Sequence, residues 1–312
     1  MDQNALKESL AIEIGQQMAE QLPDPITNAL VQPMKIMTPK VVIGGVGDVP
    51  QPRLRSGAAV AFKPKEYSIT LDTSPFYMAL EMEWHDYEGN MLSPFFRQRV
   101  AKAVAKMNAF PGLRAINRLS AMESTACYDG QYFFDTDHPY DDGAGGTGTT
   151  SNDTTATVSN VTTTGITQTE AITLLGDLEN DFVDIQSDTG DYPNVGFDIA
   201  NGIIIGDPLN IQKFRQVTRP GASLYVGGSG AASPYAGYGT LFAGHPNIGL
   251  TKLYVFRTDG IGKPFWMPEY GDITVLVGEP DPLTRRRTIG IHRDFEIQPG
   301  EWTKGLCKTL ST

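Results

Sequence analysis

The first apolar pattern along the chain has helical spacing. Leu6, Leu10, Ile14, Met18 and Leu22 recur every four residues with Ala11, Ile12 and Ala19 beside them, which predicts an amphipathic helix over about 4–22 that Pro23 and Pro25 stop. From Leu30 to Pro52 no period is long enough for a compact element, and Pro33, Pro39, Gly44, Gly45, Gly47 and Pro50 punctuate the run. Such a stretch cannot bury its own apolar residues, and Val41, Val42 and Ile43 favour an extended arm laid on a neighbouring surface. Strand spacing follows. Ala59 to Phe62 come first, then Tyr67, Ile69 and Leu71 alternate with Ser68, Thr70 and Asp72, and Phe76 to Trp84 alternate less strictly. The simplest picture is two long strands joined at Asp72-Thr73-Ser74-Pro75.

The clearest helix is next. Ser93 suits the cap, Pro94 the first turn, and Phe95 to Phe110 run without Gly or Pro until Pro111 is expected to end the element. Val100, Ala103, Val104 and Met107 form its dry side, and Arg97, Arg99, Lys102 and Lys106 its wet one. Asp141 to Gly165 hold almost nothing apolar, which predicts an exposed loop. Thr167 then opens a helix through Ala171, Leu174, Leu175, Leu178 and Phe182, Ile203-Ile204-Ile205 reads as a buried strand, and Pro208 to Val217 as another helix. Gly221 to Gly244 read as a small-residue loop. Leu253 to Arg257, Ile273 to Val277, Thr288 to His292 and Lys304 to Leu310 complete the chain as β runs. No fixed-period repeat occurs, and the class is α+β.

Composition supports this pattern: 33 glycines and 21 prolines among 312 residues imply many turns and strands. With 25 Lys+Arg against 36 Asp+Glu, the formal charge of −11 excludes a basic protein that holds nucleic acid through general phosphate neutralisation. Cys127 and Cys307 are too few for a disulfide framework and lack metal-site spacing, as suits a reducing compartment. Asp2 and Glu8 near the start, and no run of 18 apolar residues anywhere, predict neither a secretory leader nor a spanning helix. The sequons at Asn152 and Asn160 then carry no meaning.

Most catalytic patterns fail. Gly227-Gly228-Ser229-Gly230-Ala231 lacks the last glycine of a nucleophile elbow, Gly262-Lys263-Pro264 is no phosphate loop, and Gly45-Val46-Gly47-Asp48 is no dinucleotide fingerprint. Asp177, Glu179, Asp181, Asp184, Asp188 and Asp191 miss the calcium-loop order and read as a solvated acidic face. Arg285-Arg286-Arg287 reads as a charged strand edge. Asp135, Asp137 and His138 are the one set that could seat a metal to activate water, without a second histidine or carboxylate at ligand spacing. The plainer reading of this region is a turn at Asp129-Gly130, an aromatic strand over Tyr132 to Phe134 and a turn at His138-Pro139, with the Asp side chains bonded to local backbone.

That region, Cys127 to Pro139, resembles the major head subunit of Mu-like phages in its Tyr128-Asp129-Gly130 element, its Phe133-Phe134 pair and its Thr136-Asp137-His138-Pro139 turn. The likeness extends over about 65–310, through Glu81-Met82-Glu83 with Asp86 and Glu88, Gly202 to Leu209, and Lys263-Pro264-Phe265. The loop from Asp141 to Gly165 is longer than the family's usual connection, and Pro50 to Lys65 lack its tryptophan-containing segment.

The resemblance implies the α+β Hong Kong 97-like capsid fold of tailed phages. Its parts would be an N-terminal arm (1–50), an extended β-hairpin loop (51–90), a peripheral domain with spine helix and polar loop (91–165), an axial domain (166–270) and a terminal β segment returning to the peripheral domain (271–312). It also implies a structural role without catalysis or cofactor: a virion shell of hexamers and pentamers, assembled in the host cytoplasm around DNA that is held without sequence-specific contact. Scaffold, portal and decoration proteins would be partners, and a membrane would not. An encapsulin-like compartment shell shares the fold, and a metal-dependent hydrolase on Asp135, Asp137 and His138 is the competing class. In the projecting loop, Arg53, Arg55, Lys63 and Lys65 face only Glu66, a local charge of +3 on a body of −14, which suits a subunit contact.

Overall fold

The computed structural model describes residues 3–20, 24–46, 67–83, 86–88, 91–141, 146–159, 161, 164–220, 223–226, 229–260, 262–279, 281, 284 and 286–312. Arg53, Arg55, Lys63 and Lys65 lie outside the described residues, as does the run Ala59 to Phe62. The chain divides into two compact units, one of 1–41, 70–115 and 266–298, the other of 42–69, 116–265 and 299–312.

The first unit is built on a sheet in the order Val31–Ile36, Phe265–Val277, Arg287–Phe295, Ser74–Met82. Arg287–Phe295 runs antiparallel to both its neighbours, with Ile289 opposite Val277 on one side and Leu80 on the other. One face is dry: Met82, Val277, Ile289 and Ile291 meet Phe96, Val100, Ala103, Val104 and Met107 of the helix Pro94–Met122, and Leu10 and Ile14 of the helix Gln3–Glu20. This is the predicted dry side of the long helix and, at Leu10 and Ile14, the predicted stripe of the first. Phe76, Phe110 and Phe295 close the core with ring centroids 4.8 to 5.8 Å apart.

Three expectations are corrected here. Val31–Ile36, read as part of an arm needing a neighbour, pairs with this chain's own Phe265–Val277. Tyr67–Asp72 and Ser74–Met82 do not pair with each other; the first pairs with Lys40–Val46 and the second with Arg287–Phe295. The long helix continues through Pro111 to Met122. A proline there removes the N–H that would bond to the carbonyl of Met107. The guanidinium of Arg293 lies 3.5 Å from that carbonyl and serves it instead.

The second unit holds a sheet in the order Leu241–Gly244, Gly202–Gly206, Lys252–Arg257, Gly305–Ser311, Asp153–Thr157. Gly202–Gly206 is buried along its whole length, runs parallel to Leu241–Gly244 and antiparallel to Lys252–Arg257. Gly305–Ser311 is antiparallel to Lys252–Arg257 and parallel to Asp153–Thr157. The helix Gln168–Asp184 buries the predicted apolar stripe, including Leu174, Leu178 and Phe182, and the helix Pro208–Thr218 buries Ile211 and Phe214. Asp207 caps the second helix through the Leu209 N–H at 2.8 Å, with Pro208 in its first turn.

The polar run Asp141 to Gly165 is not a structureless loop. It contains Thr147–Thr150 and Asp153–Thr157, and the latter gains a full ladder because Gly305–Ser311 offers its free edge. That pairing also places 116–165 and 299–312 in one unit with 166–265, whereas the peripheral and axial division at 165/166 and 270/271 separates them. The expected loop between Gly221 and Gly244 holds the paired strands Ser223–Val226 and Ser229–Ala232. Nor are the acidic residues of 177–191 a plain solvated face. Asp181 accepts from Thr154 at 2.8 Å and is bonded to the buried Lys308, Glu179 takes the Ile199 N–H at 3.2 Å, and Asp188 is buried. The charged-edge reading of Arg285-Arg286-Arg287 is corrected: Arg287–Phe295 is an interior strand, and Arg286 pairs with Glu81 and Glu83 of the neighbouring segment at 3.2 Å each, while Arg285 lies outside the described residues.

The helix Gln168–Asp184 starts with a capping box. Glu170 takes the Thr167 N–H and hydroxyl at 2.8 Å each, and also the Ser159 N–H and hydroxyl. Partial burial works against this carboxylate, but four donors outweigh it and bring its pKa down to about 2. The resulting stability is fully present above the ordinary value of 4.5 and fades as pH falls toward about 2. Glu170→Gln is expected to cost about 1 kcal/mol or less at pH 7, the usual worth of a cap. Thermal midpoints of parent and variant should converge between pH 4.5 and 2, and parallel profiles would refute the assignment.

Candidate functional site

The segment Tyr128 to Pro139 lies within the second unit, beyond the end of the long helix. Ser124 and Thr125 close that helix by donating their hydroxyls to the Ala121 carbonyl, and the chain then turns. The turn at Asp129-Gly130 forms as expected: Asp129 Oδ1 accepts the Gln131 N–H at 3.1 Å, and the Cys127 N–H reaches the Gln131 carbonyl at 2.7 Å. Gly130 has φ of +92°, which a side chain would strain. Tyr132 makes a single bridge to Ala126.

Asp129 Oδ2 lies 2.6 Å from His138 Nδ1, and both side chains are fully buried. The imidazole stacks on Trp302 at 3.8 Å between centroids and 1° between planes. His138 and Pro139 begin a strand, His138–Asp141, paired with Thr147–Thr150, so the second expected turn is a strand start. This two-stranded sheet has edges on both sides, which tolerate the missing proline N–H.

Phe133 and Phe134 point into the unit's aromatic core. Phe133 meets Phe134 edge-on at 4.9 Å and Phe265 at 5.2 Å, while Phe134 meets Tyr254 at 5.3 Å and Phe256 at 6.1 Å. Gly305 passes so near that an added Cβ would lie 2.9 Å from the Phe133 ring. Tyr128 is buried beside Tyr67 at 5.7 Å, and burial raises the pKa values of Tyr128 and Cys127 well above their usual ranges. Burial likewise raises Cys307, so neither thiol is activated for nucleophilic attack.

Of the three residues considered as metal ligands, His138 turns Nδ1 to Asp129 while Asp135 and Asp137 bond to each other. Asp135 accepts the Thr136 N–H at 2.7 Å and the Tyr132 N–H at 3.2 Å. Burial works against the Asp135 carboxylate, yet Asp137 and these donors outweigh it and lower its pKa, while the bond to Asp135 raises that of exposed Asp137. Among the described residues no group of three or more His, Cys, Asp or Glu side chains converges as a metal site.

Asn152 is the residue that sequence reasoning passed over. Its side chain is fully buried and bridges three segments: Nδ2 donates to the carbonyls of Phe133 at 2.8 Å and Trp302 at 3.2 Å, and Oδ1 accepts the Asp135 N–H at 2.9 Å. Its own carbonyl takes the Cys307 N–H at 2.8 Å. Nearby, Glu123 accepts from Tyr254 at 2.6 Å and Lys252 at 3.1 Å, tying the helix end to the sheet. No local signal distinguishes Asn152 from a loop asparagine, because its partners lie up to 150 positions away.

The arrangement is one of internal bonds, and its relatives accord with that. Residues 46–164 match the family model of the Mu-like prophage major head subunit gpT. A curated relative, the Mu-like prophage FluMu major head subunit of Haemophilus influenzae, is 51% identical over 59 residues, 18% of this chain and 17% of its own length. The chain thus aligns with about a sixth of that relative. Among solved structures, a subunit of the bacteriophage JBD30 procapsid matches with a TM-score of 0.55 at 16% identity over 99% of this chain and 75% of its own. The fold is the Hong Kong 97-type phage capsid fold. The cyanophage P-SCSP1u capsid matches it at a TM-score of 0.54 and 10% identity, covering 94% of this chain and 89% of its own. The mature capsid of bacteriophage PhiM1 does so at 0.51 and 10%, with the same coverage. The whole Tyr128 to Pro139 segment lies inside the stretch that matches the head-subunit family.

Proposed function

We propose that the chain is the major head subunit of a Mu-like tailed phage, a structural protein whose copies close as hexamers and pentamers into a shell around the DNA genome. The observation that carries it is the capsid fold over 99% of the chain together with the head-subunit match over 46–164. In this reading the virion is the site of action. The turn through Tyr128, Asp129, Gly130, Phe133, Phe134, Asp137, His138 and Pro139 has a structural role, supported by the burial of Tyr128, Phe133, Phe134 and His138, by the internal Asp129–His138 bond, and by Asn152 and Trp302, which hold it from outside.

Electron microscopy of the full chain, expressed alone or with its scaffold, should show closed shells or capsomers. A monomer under every assembly condition would overturn the reading, and shells loaded with host protein cargo instead of DNA would favour a compartment shell. Arg53, Arg55, Lys63 and Lys65 are assigned to a subunit contact, since a basic segment suits a neighbour of opposite charge. Arg53→Glu with Arg55→Glu should weaken assembly more at low salt than at 0.1 M and above, where screening acts within about 10 Å. Equal assembly across that range would remove the loop's charge from the contact.

A further inference from the structure

The helix Pro94–Met122 has an unusual charge. It holds six of the chain's 25 Lys+Arg and none of its 36 Asp+Glu, so the remainder of the chain carries −17. Four of the six, Arg97, Arg99, Lys102 and Lys106, are exposed, and none has an ion-pair partner among the described residues. The spacing of Phe95, Arg99, Lys102, Lys106, Ala109 and Leu113 sets them in one stripe, because steps of three and four residues return to the same side of a helix. Phe95 is 79% exposed and Leu113 44%, so the cationic centre is flanked by uncovered apolar side chains.

Among the described residues nothing rewards this placement. Arg99 with Lys102 and Lys102 with Lys106 are like charges at neighbouring positions, which weakens a helix. Arg97 lies in the first turn, where the dipole disfavours cations, and no acidic residue of the first turn offsets it. Asp86, just before the helix, accepts from the capping Ser93 at 3.0 Å and from the Glu83 N–H rather than pairing with a helix cation. An ordinary solvated helix face would interleave acids at the i+3 and i+4 positions, and an acid-rich chain had many to place there.

We propose that this stripe is a sequence-independent contact for the phosphate backbone of nucleic acid. The inference rests on the shell function, which puts DNA beside every copy. It is compatible with the net acidity: the body repels the polyanion in general, and three aligned cations per subunit give it a local place to rest. A peptide partner is less favoured, because a cationic centre wider than its apolar flanks matches repeated phosphates better than a helix needing a continuous dry seam.

The test measures binding of the full chain to a labelled mixed-sequence DNA duplex of 30 base pairs between 50 and 200 mM salt. Three phosphate contacts should give a log–log slope of about −2.7, or roughly a 40-fold loss across that range. The triple variant Arg99→Gln, Lys102→Gln, Lys106→Gln, all exposed and so expected to fold, should lose most of the slope and bind about tenfold more weakly or worse at 50 mM. Arg219→Gln, an exposed cation elsewhere, should leave both unchanged. Equal binding by parent and triple variant would overturn the proposal. So would capture of polyglutamate but not DNA, which points to an acidic protein partner, or loss of assembly by the variant at unchanged DNA affinity, which makes the stripe a subunit contact. Shells without DNA binding would sink the stripe and leave the shell reading standing; DNA binding without shells would do the reverse.

Discussion

His138→Ala is expected to be the most damaging single change in the larger unit, costing about 3–5 kcal/mol. The substitution leaves the Asp129 carboxyl fully buried without its partner at 2.6 Å, and removing one member of a buried pair has a cost of that order. Loss of the stack on Trp302 adds roughly 0.5–1.5 kcal/mol. Against a whole-protein stability of about 5–15 kcal/mol, soluble yield should fall sharply. A double-mutant cycle with Asp129→Asn isolates the pair, since the second change should restore part of the loss in the His138→Ala background. Denaturant midpoints differing by under about 1 kcal/mol would show that the pair matters little. A stoichiometric divalent ion present in the parent and missing from the variant would instead return the site to metal chemistry.

Arg114→Met in the smaller unit should cost about 3 kcal/mol and carry a pH signature. Arg114 grips Glu296 with two bonds of 3.0 Å while lying over the Phe76 ring at 5.5 Å, and methionine keeps the packing but not the charge. Burial pushes the Glu296 carboxyl up, but Arg114 and the Ile297 N–H outweigh it and hold its pKa below the usual 4.5. In the parent this group therefore stabilises above about 4.5 and ceases to as pH falls through its lowered value. Without Arg114 burial dominates, so the variant's deficit should be largest near neutrality and shrink on acidification, where Glu296 is neutral. Thermal midpoints across pH 3–7 would decide, and a constant gap would mean that packing, not the ion pair, is what Arg114 provides.

What could be read from the sequence divides by the range of the interactions. Leu174, Leu178 and Phe182 with the Thr167–Glu170 box, or Ile203 to Ile205 between glycines, declare themselves within one element, and the structure keeps them. Pro111 misled because its penalty is local while its remedy, Arg293, is 182 residues away. The strand Asp153–Thr157 misled for a related reason: its composition is that of a loop, and only the edge of Gly305–Ser311 makes it a strand. At the candidate site the turn at Asp129-Gly130 was legible from short-range chemistry. The partners of His138 were not, because an imidazole carries no sign of which carboxyl or ring it will meet. Family resemblance supplied the importance of Thr136 to Pro139, but not Asn152, whose role comes from carbonyls contributed by Phe133 and Trp302.

The position of Gly305–Ser311 between Lys252–Arg257 and Asp153–Thr157 has a consequence for synthesis. A nascent chain that has already made residues 153–257 still lacks the strand that joins them, so this sheet stays open until residue 311 has left the ribosome. Until then Leu253, Val255 and Phe256 border an unpaired edge, the kind of surface on which half-made chains associate wrongly. The speed at which Gly305–Ser311 docks therefore sets how long that edge stays open.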